Sequence, residues 1–157
     1  RAANAYERAV ENDIEYLPIA IGPLLDALEQ LDRRESIDAM LEESMRRYPG
    51  ISPVIKMTRR VRDRDGDEAA IRFLSDRLSK KPSVRGLAEL VDLQLSGLHG
   101  DAREQLERLR DLLKQLLDGQ ALFRCSRCGF SARAHHWQCP GCKSWSTIKP
   151  VHGIAGN

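Results

Sequence analysis

The sequence predicts an all-α array of helical hairpins followed by a small metal-binding knuckle. Two observations lead to this fold class: hydrophobic residues recur at helix spacing over residues 1–118, and all four cysteines lie within residues 125–142. The composition also changes near Asp118–Gly119, after which the chain has both of its tryptophans and no acidic residue. We therefore expect a repeat region over 1–118 and a metal-binding domain over 122–157.

Helix spacing is clearest where hydrophobic residues recur every four positions, as at Ile37, Leu41 and Met45. Proline, glycine and aspartate interrupt this pattern at intervals. The segments between the interruptions predict helices over about 2–11, 14–31, 34–47, 52–63, 67–80, 83–97 and 101–117. Pro23 lies inside the second segment. Because proline has no N–H to bond to the carbonyl of Ile19, it predicts a kink or a helix start.

The interruptions themselves repeat along the chain. Pro49 and Pro82 each end a helix and are 33 residues apart, and Asp67 and Asp101, each preceded by glycine, open helices 34 residues apart. Both aspartates are predicted N-caps, since a short side chain can accept a backbone N–H there. The period matches the tetratricopeptide repeat, whose arrays typically bind another protein on a concave surface. The signature Trp and Gly–Tyr positions are mostly absent, which leaves an ordinary helical bundle as the alternative.

Composition and charge limit the class of protein. No apolar run reaches the ~18 residues that a membrane helix needs, and no secretory signal pattern is present. The chain starts at Arg1 inside a helical pattern, so we expect it to be a fragment. Residues 119–157 contain five basic and no acidic residues, whereas the preceding residues sum to −3. The arginine-rich run over 59–64 could bind an anion, but a solvated helix face is the preferred interpretation.

The cysteines form two Cys-x-x-Cys pairs with ten residues between them: Cys125, Cys128, Cys139 and Cys142. Two such turns offer four thiolate ligands in a tetrahedron, which suits one structural zinc ion or a mononuclear iron site, with zinc slightly favoured. Disulfides and thioredoxin-like redox chemistry are the alternatives. Nothing indicates an oxidising compartment, and the strand–helix setting of a redox pair is missing. His135 and His136 are expected to be exposed or to pack, because four sulfurs complete the coordination shell.

Turn residues predict the shape of the two cysteine turns. Gly129 follows the first pair and permits a positive φ, so that backbone amides can point at the sulfurs. Lys143 takes the equivalent position after the second pair, so we expect a less regular turn there. Phe130, Trp137 and Trp145 are expected to form a small apolar cap over the metal.

The knuckle is also expected to pack on the helical array. The linker over 118–123 is short, and Gly119 suits the left-handed position that ends the preceding helix. A terminal repeat needs its open face covered, and Leu106, Leu109 and Leu113 belong to that last helix.

Helical repeats followed by FRCSRCGF (123–130) and HWQCPGCKSWSTIKP (136–150) resemble the lipopolysaccharide assembly protein B family. This resemblance implies tetratricopeptide repeats with a rubredoxin-like, or zinc-ribbon, knuckle at the cytoplasmic face of the bacterial inner membrane. An N-terminal transmembrane anchor, which this fragment does not include, would hold the protein there. The resemblance further implies a non-enzymatic adaptor that promotes degradation of the lipid A deacetylase by a membrane-bound ATP-dependent protease. That protease and proteins of lipopolysaccharide synthesis or assembly are the implied partners.

Two other functions compete with an adaptor that binds proteins. The basic, aromatic knuckle could bind nucleic acid, although the acidic balance of the helical part opposes phosphate, so we expect no nucleic-acid partner. A rubredoxin-like site could instead transfer electrons. The gap between the cysteine pairs is shorter than in electron-transfer rubredoxins and the second turn lacks their glycine, which favours a structural metal.

Overall fold

The computed structural model describes residues 2–153, except for the side chain of Arg34. Residues 154–157, the end of the predicted metal-binding domain, lie outside this range. The helices are α1 (Ala2–Asn12), a 3₁₀ helix (Ile14–Tyr16), α2 (Leu17–Gln30), α3 (Arg34–Arg47), α4 (Ser52–Asp65), α5 (Asp67–Lys80), α6 (Val84–Leu95) and α7 (Gly100–Asp118). The strands are β1 (Phe123–Cys125), β2 (Ser131–Ala132) and β3 (Ile148–Pro150). The predicted class, helical hairpins followed by a small ribbon, is confirmed.

The helix boundaries agree with the predicted segments to within a few residues, with one division that the sequence pattern did not predict. The segment predicted over 14–31 is a 3₁₀ helix followed by α2, and Asp13 caps the 3₁₀ helix by accepting from the amide of Glu15. Pro18 lies in the first turn of α2, where the missing N–H costs nothing. Pro23 is inside α2, so it is not a helix start.

Two predicted caps and one predicted helix end are wrong. Gly66 and His99 hold the N-cap positions of α5 and α7. The carboxylate of Asp67 instead accepts from Arg62 at 2.6 Å and from the hydroxyl of Ser96 at 2.6 Å. Gly119 ends α7 with φ −82, which is right-handed, so its lack of a side chain is not required there.

The chain separates into two compact units, and the second contains residues 54–120. Within it, α5 packs on α6 and α6 packs on α7. Its buried core includes Leu74 and Leu78 on α5 and Val91 on α6. On α7, Leu109 is 45% exposed within this unit.

Three arginines of the run in α4 have carboxylate partners: Arg59, Arg62 and Arg64. Arg59 binds Glu89 through two nitrogens at 2.8 and 3.0 Å. Arg64 pairs with the neighbouring Asp65 at 2.9 Å. These contacts agree with the solvated-face interpretation.

The first unit combines residues 2–53 with the ribbon over 121–152. In the helical part, α2 packs against α1 and α3 around a buried core of Leu17, Ile21, Leu24, Leu28, Ile37 and Leu41. In the ribbon, the strand order is β2-β1-β3 and both pairings are antiparallel. Phe123 lies opposite Ala132 on one side and Pro150 on the other. This arrangement brings both chain ends of the ribbon to the same small sheet.

The ribbon packs on the start of the chain, at the 3₁₀ helix and the beginning of α2. Lys149 forms an ion pair with Asp13 and lies 4.3 Å from the centre of the Tyr16 ring. His152 contacts Glu15 at 2.7 Å, and Ile19 packs against the ribbon core. Charge complementarity supports this contact, because residues 1–53 contain eleven acidic and six basic residues while the ribbon has no acidic ones. The knuckle therefore packs on helices as predicted, at the first helices of the chain, while its predicted cover of the last helix stays a prediction.

Candidate metal centre

Two turns of the ribbon bring the four cysteine sulfurs into one cluster. All four Sγ atoms lie within 4.8 Å of one another, and none is in a disulfide. The Sγ atoms of Cys125 and Cys142 are 3.8 Å apart, and those of Cys128 and Cys139 are 3.6 Å apart. Thiolates bound tetrahedrally at about 2.3 Å from zinc lie roughly 3.8 Å from each other. The cluster is thus arranged for one tetrahedral metal ion.

Each cysteine pair is held by the same backbone turn. Gly129 N donates to the carbonyl of Cys125 at 3.0 Å, and Lys143 N donates to the carbonyl of Cys139 at 2.9 Å. Gly129 has the predicted positive φ of 76, and Lys143 has a φ of 59. The expectation that the second turn is less regular is therefore wrong. The fold imposes the same left-handed conformation on Lys143, although the Cβ atom of a lysine makes this conformation unfavourable.

Replacing Lys143 with glycine is expected to stabilise the ribbon by about 1 kcal/mol, because glycine adopts a positive φ without steric cost. Urea unfolding of the metal-loaded protein, followed by tryptophan fluorescence, measures the change. Lys143→Ala is the matched control, since it removes the charge but keeps Cβ and should give no such gain. An equal gain in both variants would mean that the side chain, not the backbone, is unfavourable.

Hydrogen bonds to the sulfurs favour thiolates in part of the cluster. The hydroxyl of Thr147, 3.3 Å from the Cys125 sulfur, together with the amides of Arg127 and Cys128, lowers the pKa of Cys125 to about 6. The side chain and amide of Ser144 lower the pKa of Cys142. Such a pocket prepares anionic ligands before a cation arrives, which favours metal binding.

Cys128 holds its proton more tightly than Cys125 and Cys142. An amide hydrogen bond at Phe130 favours its thiolate, but desolvation and the neighbouring sulfurs outweigh this effect and raise the pKa of Cys128 to about 11. A bound cation would lower the free-energy cost of ionising Cys128, because its positive charge stabilises all four neighbouring thiolates. Metal binding to this cluster must therefore release protons.

Two hydroxyl residues that support the sulfurs were missed by the sequence analysis, Thr147 and Ser144. Their position shortly after the second cysteine pair was the only available signal, and hydroxyl residues are common in such turns. A Cβ atom at Gly141 would make only ordinary van der Waals contacts, at 3.4 Å from the Cys128 sulfur and 3.8 Å from the Cys139 sulfur, so packing does not require glycine there.

The apolar support of the cluster differs from the predicted aromatic cap. Its buried core consists of Phe123, Cys125, Cys139 and Ile148, and Phe130 packs at its edge. Trp137 and Trp145 are 58% and 68% exposed, so neither covers the sulfurs. Two of the four candidate ligands, Cys125 and Cys139, are thus themselves core residues. The stability of the ribbon therefore depends on whether its cysteines are bound to a metal.

His135 packs between the ribbon and the 3₁₀ helix, as one of its two predicted roles. Its ring meets Tyr16, Phe123 and Trp137 edge to face at centroid distances of 5.9, 5.5 and 4.6 Å. Its Nε2 atom is buried without a hydrogen-bond partner. Burial lowers the pKa of His135, because a charged ring would be poorly solvated here.

Acidification is expected to destabilise the first unit through His135. In the unfolded chain the ring takes up a proton near pH 6.5, whereas in the folded chain it does so only at lower pH. Stability therefore falls as the pH drops below about 6.5, and the loss levels off below the folded-state pKa. Urea unfolding from pH 7.5 to 5 on the metal-loaded protein, with these pH values chosen to span that range, measures the slope.

A variant that retains the ring without its charge isolates this effect. His135→Phe should reduce the pH dependence, whereas the same change at the exposed neighbour His136 should leave it as in the parent protein. The cysteines titrate in all three proteins, so only the difference between slopes is informative. Equal slopes in both variants would assign the pH dependence to other groups.

Comparison with known proteins agrees with this combination of fold and site. Helical hairpins that carry a four-cysteine ribbon define a class of helical-repeat protein with a rubredoxin-type metal module. The family described as rubredoxin metal binding domain matches residues 123–150, which contain all four cysteines. Over nearly its whole length the chain is similar to proteins named lipopolysaccharide assembly protein B.

Relatives from two organisms extend this similarity through the helices. The chain is 29% identical to lipopolysaccharide assembly protein B of Escherichia coli K12 over 157 residues, which are 99% of this chain and 40% of that protein. It is 24% identical to the Haemophilus influenzae protein of the same name over 152 residues, 96% of this chain and 38% of that protein. The chain thus spans about 40% of the length of these relatives. Within residues 2–153, none of the helices has the length and apolar character needed to cross a membrane.

Proposed function

We propose that Cys125, Cys128, Cys139 and Cys142 bind one structural metal ion, with zinc slightly favoured over iron. The distances between the sulfurs suit either ion in tetrahedral coordination. A ribbon this small buries little apolar area, so the metal would supply much of its folding free energy. Elemental analysis of protein purified without added metal tests the stoichiometry. An ultraviolet-visible spectrum before and after reduction separates iron from zinc, because zinc has no redox chemistry.

We further propose that the protein is a non-enzymatic adaptor in the regulation of lipopolysaccharide biosynthesis. The observation that supports this most strongly is the similarity to lipopolysaccharide assembly protein B, which runs through both the helices and the ribbon. The ribbon contact at Asp13 and Tyr16 supports a single binding unit made of both elements. In this role the protein would act at the cytoplasmic face of the inner membrane.

The proposed partners are a membrane-bound ATP-dependent protease and proteins of lipopolysaccharide synthesis or assembly. By bringing the lipid A deacetylase to the protease, the adaptor would promote turnover of that enzyme. Replacement of the natural protein in its own cells with full-length variants tests this proposal. Immunoblots of the deacetylase after synthesis is blocked should show slower loss when the adaptor is depleted and normal loss when it is restored.

A variant that weakens the contact between the ribbon and the 3₁₀ helix makes the cellular test more specific. Asp13→Lys replaces the ion pair with Lys149 by repulsion between two positive charges and should slow deacetylase turnover. Asp26→Lys makes the same charge change at an exposed position of α2 and should leave turnover unchanged. Unchanged turnover upon complete depletion of the protein would contradict the adaptor proposal. Electron transfer has no supporting observation beyond the cysteine cluster itself, and the acidic balance of residues 1–53 opposes nucleic acid.

A further inference from the structure

Trp145 lies at an exposed end of the ribbon, beside basic side chains. Its side chain is 68% exposed, the highest value among the exposed large hydrophobic residues of the described part of the chain. The guanidinium of Arg127 donates to the hydroxyl of Ser144 at 2.7 Å, which places this charge beside the residue that precedes Trp145. Lys143 is also exposed, and its carbonyl accepts from Gln138, the residue that pairs with Trp145. We call Arg127, Lys143 and Trp145 the Trp145 tip.

The charged residues that the ribbon itself contributes are all basic. No acidic residue occurs from Gly119 to Asn157, and Arg124 adds another exposed positive charge on β1. The acidic side chains that contact the ribbon, Asp13 and Glu15, are paired with Lys149 and His152. A tetrathiolate metal site would carry about −2 and offset part of the positive charge, and two of its four cysteines are buried. The tip therefore presents an indole ring and two exposed positive charges to an outside partner.

We propose that the Trp145 tip binds the headgroup layer of an anionic phospholipid membrane. An indole suits this layer because its ring is apolar and its N–H is polar, and tryptophan is enriched there. Arginine and lysine can extend their charged ends to lipid phosphates, each strengthening binding to an anionic surface about fivefold. A membrane surface requires no preformed pocket, so two charges and one ring are sufficient for a weak, reversible contact.

This inference rests on the proposed position of the protein at the membrane. There, an anchored protein would need only weak affinity, because the anchor keeps the ribbon at high effective concentration near the lipid. Contact at the tip would then set which side of the ribbon faces the bilayer. The sheet contact with Asp13 would transmit that orientation to the first helices.

Vesicle binding by the purified, metal-loaded protein tests the proposal directly. The probes are vesicles of equal parts phosphatidylglycerol and phosphatidylcholine, compared with phosphatidylcholine alone, at low salt. We expect cosedimentation with the anionic vesicles, a blue shift of tryptophan emission, and binding about 25-fold weaker to the neutral vesicles, since two charges contribute about fivefold each. Arg127→Gln combined with Lys143→Gln should weaken binding to anionic vesicles by the same factor of about 25. Trp145→Ala should weaken binding and remove the blue shift.

Trp137→Ala is the matched control, since that ring is 58% exposed but also packs on Tyr16 and His135. It should keep most of the binding and leave Trp145 as the single emission probe. Circular dichroism and metal content establish that each variant is folded. No binding to anionic vesicles, equal binding to neutral vesicles, or loss only with Trp137→Ala would overturn the proposal.

Binding of polyglutamate or an oligonucleotide through the same side chains, without vesicle binding, would also overturn the lipid assignment and point to an acidic polymer. The vesicle experiment contains no protease and no deacetylase. A negative vesicle result would therefore not contradict the adaptor proposal, which is tested by deacetylase turnover in cells. Unchanged turnover in cells would, in the same way, not contradict a positive vesicle result.

Discussion

Cys125→Ser is expected to abolish stoichiometric metal binding and to unfold the ribbon over residues 122–150. Serine stays protonated where a thiolate ligand is needed, and the altered side chain also lies in the ribbon core, where Cys125 is 2% exposed. Structural zinc contributes an apparent 10 kcal/mol or more to such small domains. Elemental analysis gives the metal content, and tryptophan fluorescence reports the ribbon because both tryptophans lie in it.

The same variant should leave most of the helical circular dichroism intact. Residues 54–120 form a compact unit of their own, so the loss of helix is expected to be confined to the first unit. There, the contacts of Lys149 with Asp13 and Tyr16 disappear, and the thermal midpoint of the first helices should fall. Ser131→Ala, an exposed change in β2, is the control and should alter neither metal content nor the spectrum. Full metal occupancy and a folded ribbon in Cys125→Ser would refute a structural role for this ligand.

Ile148→Ala is expected to destabilise the metal-loaded ribbon by about 2–5 kcal/mol. Ile148 is fully buried and shares a core with Phe123, Cys125 and Cys139. Truncation removes apolar contacts and leaves a cavity that a core of so few residues cannot refill. Because two candidate ligands belong to this core, metal should also pass faster to a chelator in the variant. Urea unfolding and the rate of chelator transfer measure the two effects.

A conservative change at the same position provides the comparison. Ile148→Val removes one methylene group and should cost only about 0.5–1.5 kcal/mol, with a smaller increase in metal release. Val151→Ala, at a half-buried position just beyond β3, should cost less than Ile148→Ala. Equal effects of Ile148→Ala and Ile148→Val would show that the side chain does not support the metal cluster by packing.

Much of the fold could be predicted because its signals are local. Helix spacing, and breaks such as Pro49 and Pro82, gave segments close to the observed helices, and two Cys-x-x-Cys turns are sufficient to define four converging sulfurs. The N-caps were predicted less well. Asp67 can cap a helix in principle, but Arg62 and Ser96 compete for its carboxylate in the folded chain.

The remaining errors depend on contacts between distant residues. No local pattern indicates that Lys149 pairs with Asp13, 136 positions earlier, or that Trp137 packs beside Tyr16 instead of over the sulfurs. At Lys143 the error has a different cause. The low preference of lysine for a positive φ predicted an irregular turn, but closure of the cysteine turn requires that conformation whatever the residue. The predicted division at 118–122 stays a prediction, because composition marks it but the compact units group the ribbon with the first helices.

The pairing of the ribbon with the first helices affects how the polypeptide folds during translation. At about 5–20 residues per second, a ribosome needs roughly 7 to 27 seconds to translate the 136 positions from Asp13 to Lys149. Throughout that interval Tyr16 and Ile19 lack the surface that covers them in the finished protein. The first helices must therefore persist on the ribosome with an uncovered apolar and acidic face until the ribbon has emerged and bound its metal. Chaperone binding to nascent chains should consequently end only after the second cysteine pair has left the exit tunnel.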